Sequence, residues 1–212
     1  MRRAWLRAAW LLPAVLLASL VFPAAAQKPK APATSVAPAT AKVQAPATVA
    51  QVDTHAGDEL AIGREGRYVL SRSFSYLEDA GGELVLADLL KPEAQARFQP
   101  VPQTGPATNF GLTRSAIWLR VTLRPERDAP ADWMLELAYP PLDRLELYAP
   151  DGKGGFSRQV GGDLSPFAER AVVHRNHVMP LRLKPGAAST LYLRVSSGGT
   201  VSAPVNLSLI HI

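Results

Sequence analysis

The 212-residue sequence contains no cysteine and few histidines and methionines, 4 and 3 respectively. The absence of cysteine excludes disulfide scaffolds, thiolate zinc sites, iron–sulfur ligation and cysteine nucleophiles. The sequence also lacks a Gly-x-Ser-x-Gly nucleophile elbow, a phosphate-binding glycine loop and a His-Glu-x-x-His zinc motif. We therefore predict no cofactor, no bound metal and no enzymatic activity.

Positive and negative charges are nearly balanced over most of the chain. The formal net charge is +5, but from Glu59 onward 17 Lys and Arg residues are balanced by 16 Asp and Glu residues. The excess positive charge belongs to the N-terminal part, where Arg2, Arg3 and Arg7 lie. This distribution argues against nucleic acid as a partner.

The N-terminus has the three parts of a secretory signal peptide. The three arginines precede an apolar run from Ala8 to Phe22, and small residues follow as far as Ala26. We predict a signal peptide over residues 1–26 that is cleaved after Ala26, with an uncleaved anchor as the alternative. The run is short for a spanning helix and is interrupted by Pro13, which favours cleavage.

Residues 27–57 form a low-complexity stretch rich in Ala, Pro, Thr, Val and Lys. No apolar face repeats along this stretch, and its prolines prevent regular strand pairing. These prolines are Pro29, Pro32, Pro38 and Pro46. We predict a disordered linker here, followed by a folded domain that begins at residue 58. Attachment to the cell wall through the lysines of the linker is the alternative.

The rest of the sequence alternates between apolar and polar residues with the period of a β-strand. Four runs, at 116–123, 132–139, 144–148 and 191–196, place apolar side chains at every second position. Turn dipeptides such as Asp-Gly and Pro-Gly separate these runs. The pattern predicts an all-β sandwich over residues 58–206. One short helix, limited by a proline, is predicted within 86–98 at an end of the sandwich.

Two pairs of side chains are candidates for metal binding or catalysis. His174 and His177 are three residues apart, so in a strand they point to opposite faces and cannot easily share a metal. Glu136 and Glu146 are a candidate carboxylate pair for glycoside hydrolysis. We expect the two glutamates to face each other on neighbouring strands, where arginines of the same face neutralise them in cross-strand ion pairs. The prediction is ion pairing rather than catalysis.

The non-aliphatic phase of the strands combines aromatic rings with guanidinium groups. This combination suits a saccharide or a carboxylate ligand, through stacking and directed hydrogen bonds. The predicted ligand-binding residues are Trp118, Arg120, Arg144, Tyr148, Tyr192 and Arg194. Either phase of a sandwich strand can be the buried one, so the alternative is that Trp118 is a core residue and the arginine stems cover apolar surface.

A further candidate lies in the loop that follows Gly161 and Gly162. The two glycines permit a tight backbone before Asp163, and Arg170 can return to this carboxylate as a bidentate ion pair. We predict that Asp163 and Arg170 form a structural clasp that holds the loop. Direct contact of these two side chains with a ligand is the alternative.

The order of several short motifs resembles a known family. The motifs are Trp118-Leu119-Arg120, Pro141-Leu142-Asp143, Leu145-Glu146-Leu147-Tyr148, Gly162-Asp163 and Leu191-Tyr192-Leu193-Arg194-Val195. Together they resemble the type 2 extracellular sensor domain of bacterial seven-transmembrane receptors with diverse intracellular signalling modules, over about Arg67 to Asn206. The resemblance implies a jelly-roll-like β-sandwich similar to carbohydrate-binding modules. It also implies a periplasmic position ahead of a seven-helix inner-membrane domain and a cyclase or kinase output.

The C-terminal residues differ from this family pattern. No seven-helix segment follows, and residues 207–212 are also what a common transposase sequencing adaptor encodes in frame. We predict a fragment whose native sequence ends near Asn206, with a true terminal strand as the alternative.

The predicted function is that of a periplasmic ligand-sensing input domain of a membrane signalling receptor. Its predicted partners are an unknown small molecule and the receptor's own membrane domain. A free secreted carbohydrate-binding-like or protein-interaction module is the alternative.

Overall fold

The computed structural model describes residues 59–102 and 108–209, together with the backbone of residues 49–50. The predicted signal peptide, nearly all of the predicted linker and the last three residues lie outside this described part. Within it, no helix is long and apolar enough to cross a membrane.

Short strands dominate the described residues, where two four-residue helices and one 3-10 turn are the helical elements. The strands are β1 Val49–Ala50, β2 Glu59–Ile62, β3 Arg67–Val69, β4 Ser75–Asp79, β5 Gln99–Pro100, β6 Thr108–Leu112, β7 Ala116–Pro125, β8 Asp132–Leu137, β9 Arg144–Pro150, β10 Phe156–Gly161, β11 His177–Arg182, β12 Ser189–Ser196, β13 Thr200–Ala203 and β14 Val205–Ser208. The helices are α1 Leu86–Leu89 and α2 Pro92–Gln95, and the 3-10 turn is Phe167–Glu169. Pro92 begins α2, because a residue without a backbone N–H is tolerated at the first helical position.

The larger sheet has the strand order β10-β9-β12-β7-β4-β5, and β2 pairs in parallel with β7. The other neighbours in this sheet are antiparallel. Leu193 of β12 is paired with Leu119 of β7 on one side and with Leu147 of β9 on the other. The alternation of these three strands therefore gives the sheet one continuous apolar face.

The smaller sheet has the strand order β1-β3-β14-β8-β11, and β6 and β13 form a separate two-stranded antiparallel sheet. β14 lies in the middle of the smaller sheet, antiparallel to β3 and β8. It continues through Leu207 and Ser208, so the folded strand extends past the boundary predicted at residue 206. Val49–Ala50 fall within the predicted linker and pair in parallel with β3. The disordered linker as a whole stays a prediction.

The apolar faces of the two sheets pack against each other and form the main core. Leu119 and Leu193 from the larger sheet join Leu135 and Leu207 from the smaller one, and all four are completely buried. Removal of such side chains from water is the dominant stabilising contribution to folding. The predicted all-β sandwich is confirmed.

Segment 84–98, here called the helical cap, lies over the outer face of the larger sheet and not at an end of the sandwich. Leu89 of α1 is buried in a second apolar cluster with Leu77, Trp118 and Tyr192, which project from the face opposite the main core. Large aromatic side chains on that face require cover, and the cap supplies it. The predicted position of the helix is therefore wrong, and the cap buries part of the second face of the larger sheet.

Candidate ligand-binding site

The six predicted ligand-binding residues lie on the outer face of the larger sheet. Trp118 is paired with Arg194 across β7 and β12. Two residues further along β7, on the same face, Arg120 is paired with Tyr192, and Tyr192 is paired in turn with Tyr148 of β9. The sixth residue, Arg144, lies at the start of β9, on the side of Trp118 that is away from Arg120. Their placement on one face follows the sequence alternation, while their binding of a ligand stays a prediction.

The aromatic members of this set are packing groups beneath the helical cap. Trp118 has no exposed surface, and Tyr192 is 4% exposed. The Trp118 ring stacks on Tyr148 with ring centres 5.6 Å apart, and Tyr192 contacts Phe98 and Phe156 edge-on. Such geometries stabilise aromatic pairs, and here they leave neither buried ring an open face for a sugar. Trp118 is therefore a core residue in this structure, as the alternative interpretation of the sequence stated.

A buried carboxylate, Glu146, organises the arginines of the outer face. Its Oε1 accepts a hydrogen bond from Nε of Arg144 at 2.8 Å. Its Oε2 accepts from Nε of Arg158 at 2.9 Å and from the Tyr148 hydroxyl at 2.6 Å, and Nη1 of Arg194 lies 3.7 Å from Oε1. Burial raises the pKa of this carboxyl, but the hydrogen bonds outweigh burial and lower the pKa of Glu146 to about 2. Glu146 is therefore ionised at neutral pH and holds three arginines in place.

Sequence reasoning missed Arg158, which is paired with Tyr148 across β10 and β9. The strand of Arg158 reads Phe-Ser-Arg-Gln-Val-Gly, so no clear apolar alternation marks it. The expected ion pairs of Arg144 and Arg194 with a glutamate of their face are present. Within the described residues Arg120 makes no ion pair, so its guanidinium has no acidic partner on this face.

Glu136 and Glu146 do not face each other as we expected, because their strands belong to different sheets. β8 carries Glu136 in the smaller sheet, and β9 carries Glu146 in the larger one. The Glu136 carboxylate accepts hydrogen bonds from the side-chain amides of Asn176 at 2.6 Å and Asn206 at 3.3 Å, and Arg67 lies 3.7 Å away. The expectation of paired glutamates is therefore wrong.

Arg120 borders a polar cavity of about 240 Å³ beside the helical cap. Its Nη1 donates to Oε1 of Gln95 in α2 at 2.5 Å, and its guanidinium lies over the Phe98 ring, 4.4 Å from the ring centre. Nε2 of Gln95 donates to the Tyr192 hydroxyl at 3.0 Å. The lining residues are Ser73, Gln95, Arg120, Val121, Thr122, Thr190 and Tyr192. The cavity therefore combines one cation that has no acidic partner with hydroxyl and amide groups.

Asp163 and Arg170 are not joined by the predicted bidentate ion pair. Nη1 of Arg170 instead donates to the backbone carbonyls of His174 at 2.8 Å and Arg175 at 3.3 Å. The glycine before Asp163 is required: Gly162 has a φ of +125°, and a Cβ there would lie 2.2 Å from a carbonyl oxygen of the adjacent loop. The tight turn is confirmed, while a clasp or ligand role for the two side chains stays a prediction.

The two histidines contact the backbone. Nδ1 of His174 accepts from the backbone N–H of Asn176 at 3.1 Å, and Nε2 of His177 lies 3.0 Å from the carbonyl oxygen of Pro140. Burial lowers the pKa of His177 below its usual value, so this ring is neutral at neutral pH. Across residues 59–102 and 108–209, no three His, Asp or Glu side chains cluster as a metal ion would need.

The family described as 7TMR-DISM extracellular 2 matches residues 71–208, which is more than half of the chain. The chain therefore belongs to this family, the extracellular sensing domains of seven-transmembrane receptors, which are in general non-catalytic. None of the curated proteins matches the chain. The resemblance inferred from the short motifs is confirmed, and the outer-face residues all lie in the matched range.

Proposed function

We propose that this protein is the periplasmic ligand-sensing input domain of a bacterial membrane signalling receptor. Its ligand, in this proposal, is a small hydroxylated carboxylate such as a sugar acid, and Arg120 binds the carboxylate. One observation carries the proposal: a sensing domain places an arginine without an acidic partner at a polar cavity. The family match supports the sensing role, and the cavity supports the ligand chemistry.

The neighbours of Arg120 explain why the ligand is expected to be anionic. Its contacts are the neutral side-chain oxygen of Gln95 and the face of the Phe98 ring. Neither of these groups carries the negative charge that a guanidinium pairs with most strongly. A ligand carboxylate is therefore the partner that Arg120 binds best, through a charge-assisted hydrogen bond or a bidentate pair.

The other groups of the cavity favour hydroxyl groups on the ligand. The side chains of Thr122 and Thr190 are hydrogen-bonded to each other at 2.9 Å, and either hydroxyl can also bind a ligand oxygen. The Tyr192 hydroxyl accepts from Gln95, so its own hydrogen is available to an acceptor. These donors and acceptors match a polyhydroxylated molecule better than an apolar one.

Most of the remaining predicted residues do not contact the ligand in this proposal but hold the neighbouring groups of the face in place. Trp118 and Tyr148 are stacked beneath the face, and Arg194 is held by Glu146. Arg144 is the exception, because its side chain is 53% exposed and only its Nε bonds to Glu146. In the proposal Arg144 extends the binding face at its outer edge, and the buried residues keep that face rigid.

Gln95 links the proposed site to the helical cap. Its amide bonds to Arg120 on the sheet and to the carbonyl of Leu89, where α1 ends. A ligand carboxylate on Arg120 would compete with the Gln95 oxygen and change how the cap is held. The cap is therefore the element that we expect to report ligand binding to the rest of a receptor.

The ligand is tested by titration with glucuronate, with glucose as the neutral matched sugar. We expect glucuronate to bind and to raise the melting temperature, and we expect glucose to bind at least ten-fold more weakly. Arg120→Gln should remove the preference for glucuronate. Arg182→Gln, an exposed arginine of β11, is the matched control and should bind as the original chain does. Equal binding of glucuronate by Arg120→Gln and the original chain would refute the ligand proposal.

The receptor half of the proposal is tested separately on the gene. Sequencing beyond codon 206 with an adaptor-free long-read method should reveal seven apolar segments of about twenty residues each, followed by an output domain. A stop codon directly after that position would contradict the receptor assignment. It would favour the free secreted binding module that the sequence leaves open.

A further inference from the structure

We propose that a second pocket, formed at Arg170 between the edges of the two sheets, binds small carboxylates that have an apolar body. This site is distinct from the Arg120 cavity. It lies where β10, at one edge of the larger sheet, approaches β11, at one edge of the smaller sheet. The side chain of Gln159 in β10 bridges the two edges by donating to the carbonyl of Pro180 in β11 at 2.7 Å.

The walls of this pocket are largely apolar. It has a volume of about 220 Å³, and Val160, Ala171, Val178 and Met179 supply most of the apolar lining. That volume is below the usual range for drug-sized ligands, so only a small molecule fits. The loop above the pocket also exposes Phe167 at 52% and is rich in apolar side chains. The lining and the exposed Phe167 therefore favour a ligand with an apolar body.

The charged group of the pocket is an arginine whose Nε has no hydrogen-bond partner. Nη1 of Arg170 is held by the carbonyls of His174 and Arg175, and the Phe167 ring covers the guanidinium face at 4.7 Å. Nε of Arg170 is buried and has no hydrogen-bond partner. Nε and Nη2 together form the edge of a guanidinium that binds a carboxylate with two parallel hydrogen bonds. Arg170 is thus oriented by the backbone and left with an unsatisfied donor, which a ligand carboxylate would satisfy.

No acidic side chain of the described residues already occupies that edge. Asp163 and Glu169 are the acids of the same loop, and neither makes an ion pair with Arg170. Glu169 lines the pocket and is exposed, so its charge weakens ligand binding without blocking the site. His177 also lines the pocket, and its Nε2 lies 3.0 Å from the carbonyl oxygen of Pro140. Arg170 therefore remains the one guanidinium available to an anion among the residues that line this pocket.

The experiment titrates the protein with hexanoate and, as an uncharged match of the same shape, hexanol. We expect hexanoate to bind and hexanol to bind at least ten-fold more weakly, by calorimetry. Arg170→Gln should weaken hexanoate binding at least ten-fold, whereas Arg170→Lys, which keeps the charge but not the fork, should recover only part of the affinity. Glu169→Gln should tighten binding two- to five-fold, because it removes the neighbouring negative charge.

Two further variants keep the test decisive. Val160→Trp fills the pocket from its exposed side and should abolish hexanoate binding, even if Arg170→Gln fails to fold. Arg120→Gln should bind hexanoate as the original chain does, which separates this proposal from the proposed function. The proposal is overturned if hexanoate does not bind, if hexanol binds equally well, or if Val160→Trp retains the affinity. It is also overturned if Arg170→Gln lowers the melting temperature and binds hexanoate unchanged, because Arg170 is then a structural clasp only.

Discussion

The inner face of the larger sheet is completely buried, whereas the outer face is buried only in part, and different contacts cover the two faces. The inner face consists of aliphatic side chains such as Leu119 and Leu193, which pack against the smaller sheet. The outer face carries Trp118 and Tyr192 beside an ionised Glu146 with its arginines, and the helical cap covers only part of it. The inner face depends on apolar burial, whereas the outer face depends on aromatic contacts and paired charges as well.

In the function that we propose, this difference separates stability from ligand binding within one sheet. The inner face is aliphatic and covered by the smaller sheet, so it offers no hydrogen-bonding side chain to a ligand. A mixed face retains hydrogen-bonding groups, and the polar cavity at Arg120 opens where the cap ends. Substitutions on the two faces should therefore differ in size, in pH dependence and in the part of the molecule that they disturb.

The largest effect is expected on the inner face, from Leu193→Ala. Leu193 is completely buried between two neighbouring strands and the opposite sheet, so its truncation leaves a cavity. We expect the free energy of unfolding to fall by about 3 kcal/mol in urea denaturation. Leu112→Ala, at a side chain 80% exposed, is the matched control and should change it by less than about 0.5 kcal/mol. Equal effects of the two substitutions would remove the contrast between the faces.

A smaller effect with a distinct pH dependence is expected on the outer face, from Glu146→Gln. The substitution leaves three arginines together without their anion, and we expect a loss of about 2 kcal/mol at pH 7. The loss is below the range of about 3–5 kcal/mol for fully buried pairs, because water partly solvates Arg144 and Arg158.

The pH dependence follows from the lowered pKa of Glu146. Its pKa is about 2 in the folded protein, against 4.5 for an unperturbed glutamate, so its stabilising contribution is present above pH 4.5 and is lost as the pH falls towards 2. The difference in unfolding free energy between Glu146→Gln and the original chain should therefore shrink over this interval. A difference that stays constant from pH 7 to pH 2 would contradict the ionised network.

The smallest effect is expected at the contact between the sheet and the cap, from Tyr192→Phe. The substitution removes the hydroxyl that accepts from Gln95 but keeps the buried ring. We expect a loss of about 1 kcal/mol, together with faster hydrogen exchange of the backbone N–H groups in α1 and α2. Exchange in β7 and β12 should stay unchanged. Faster exchange throughout the larger sheet would show that the cap and the sheet open as one unit.

The sequence predicted the strands better than their assembly. The alternation in β7, β8, β9 and β12 separated an aliphatic phase, which includes Leu119, Leu135, Leu147 and Leu193, from a mixed polar and aromatic phase, because alternation is a local property. It did not show that β8 and β9 enter different sheets, so the two glutamates were expected on one face. Sheet membership depends on long-range pairing, which local periodicity does not encode.

The candidate site was predictable in the same partial way. Alternation brought Arg120, Arg144 and Arg194 to one face, but burial of Trp118 depends on a cap whose residues show no clear period. The spacing of Asp163 and Arg170 indicated an ion pair, whereas Arg170 bonds to backbone carbonyls instead. Carbonyl groups are present at every residue, so no sequence pattern marks the ones that a side chain will choose.

The position of β14 has a consequence for the order in which the domain folds. This strand is the last one in the described chain, yet it lies between β3 and β8, and its Asn206 is paired with Val69, more than 130 residues earlier. Until residues 205–208 are available for pairing, β3 and β8 are not joined and the smaller sheet remains in two halves. The core residues that this sheet covers then remain exposed to water. Pairings of such long sequence separation slow folding. During synthesis from the N-terminus, a partly assembled domain would have to wait for β14 before the two halves of the smaller sheet could join.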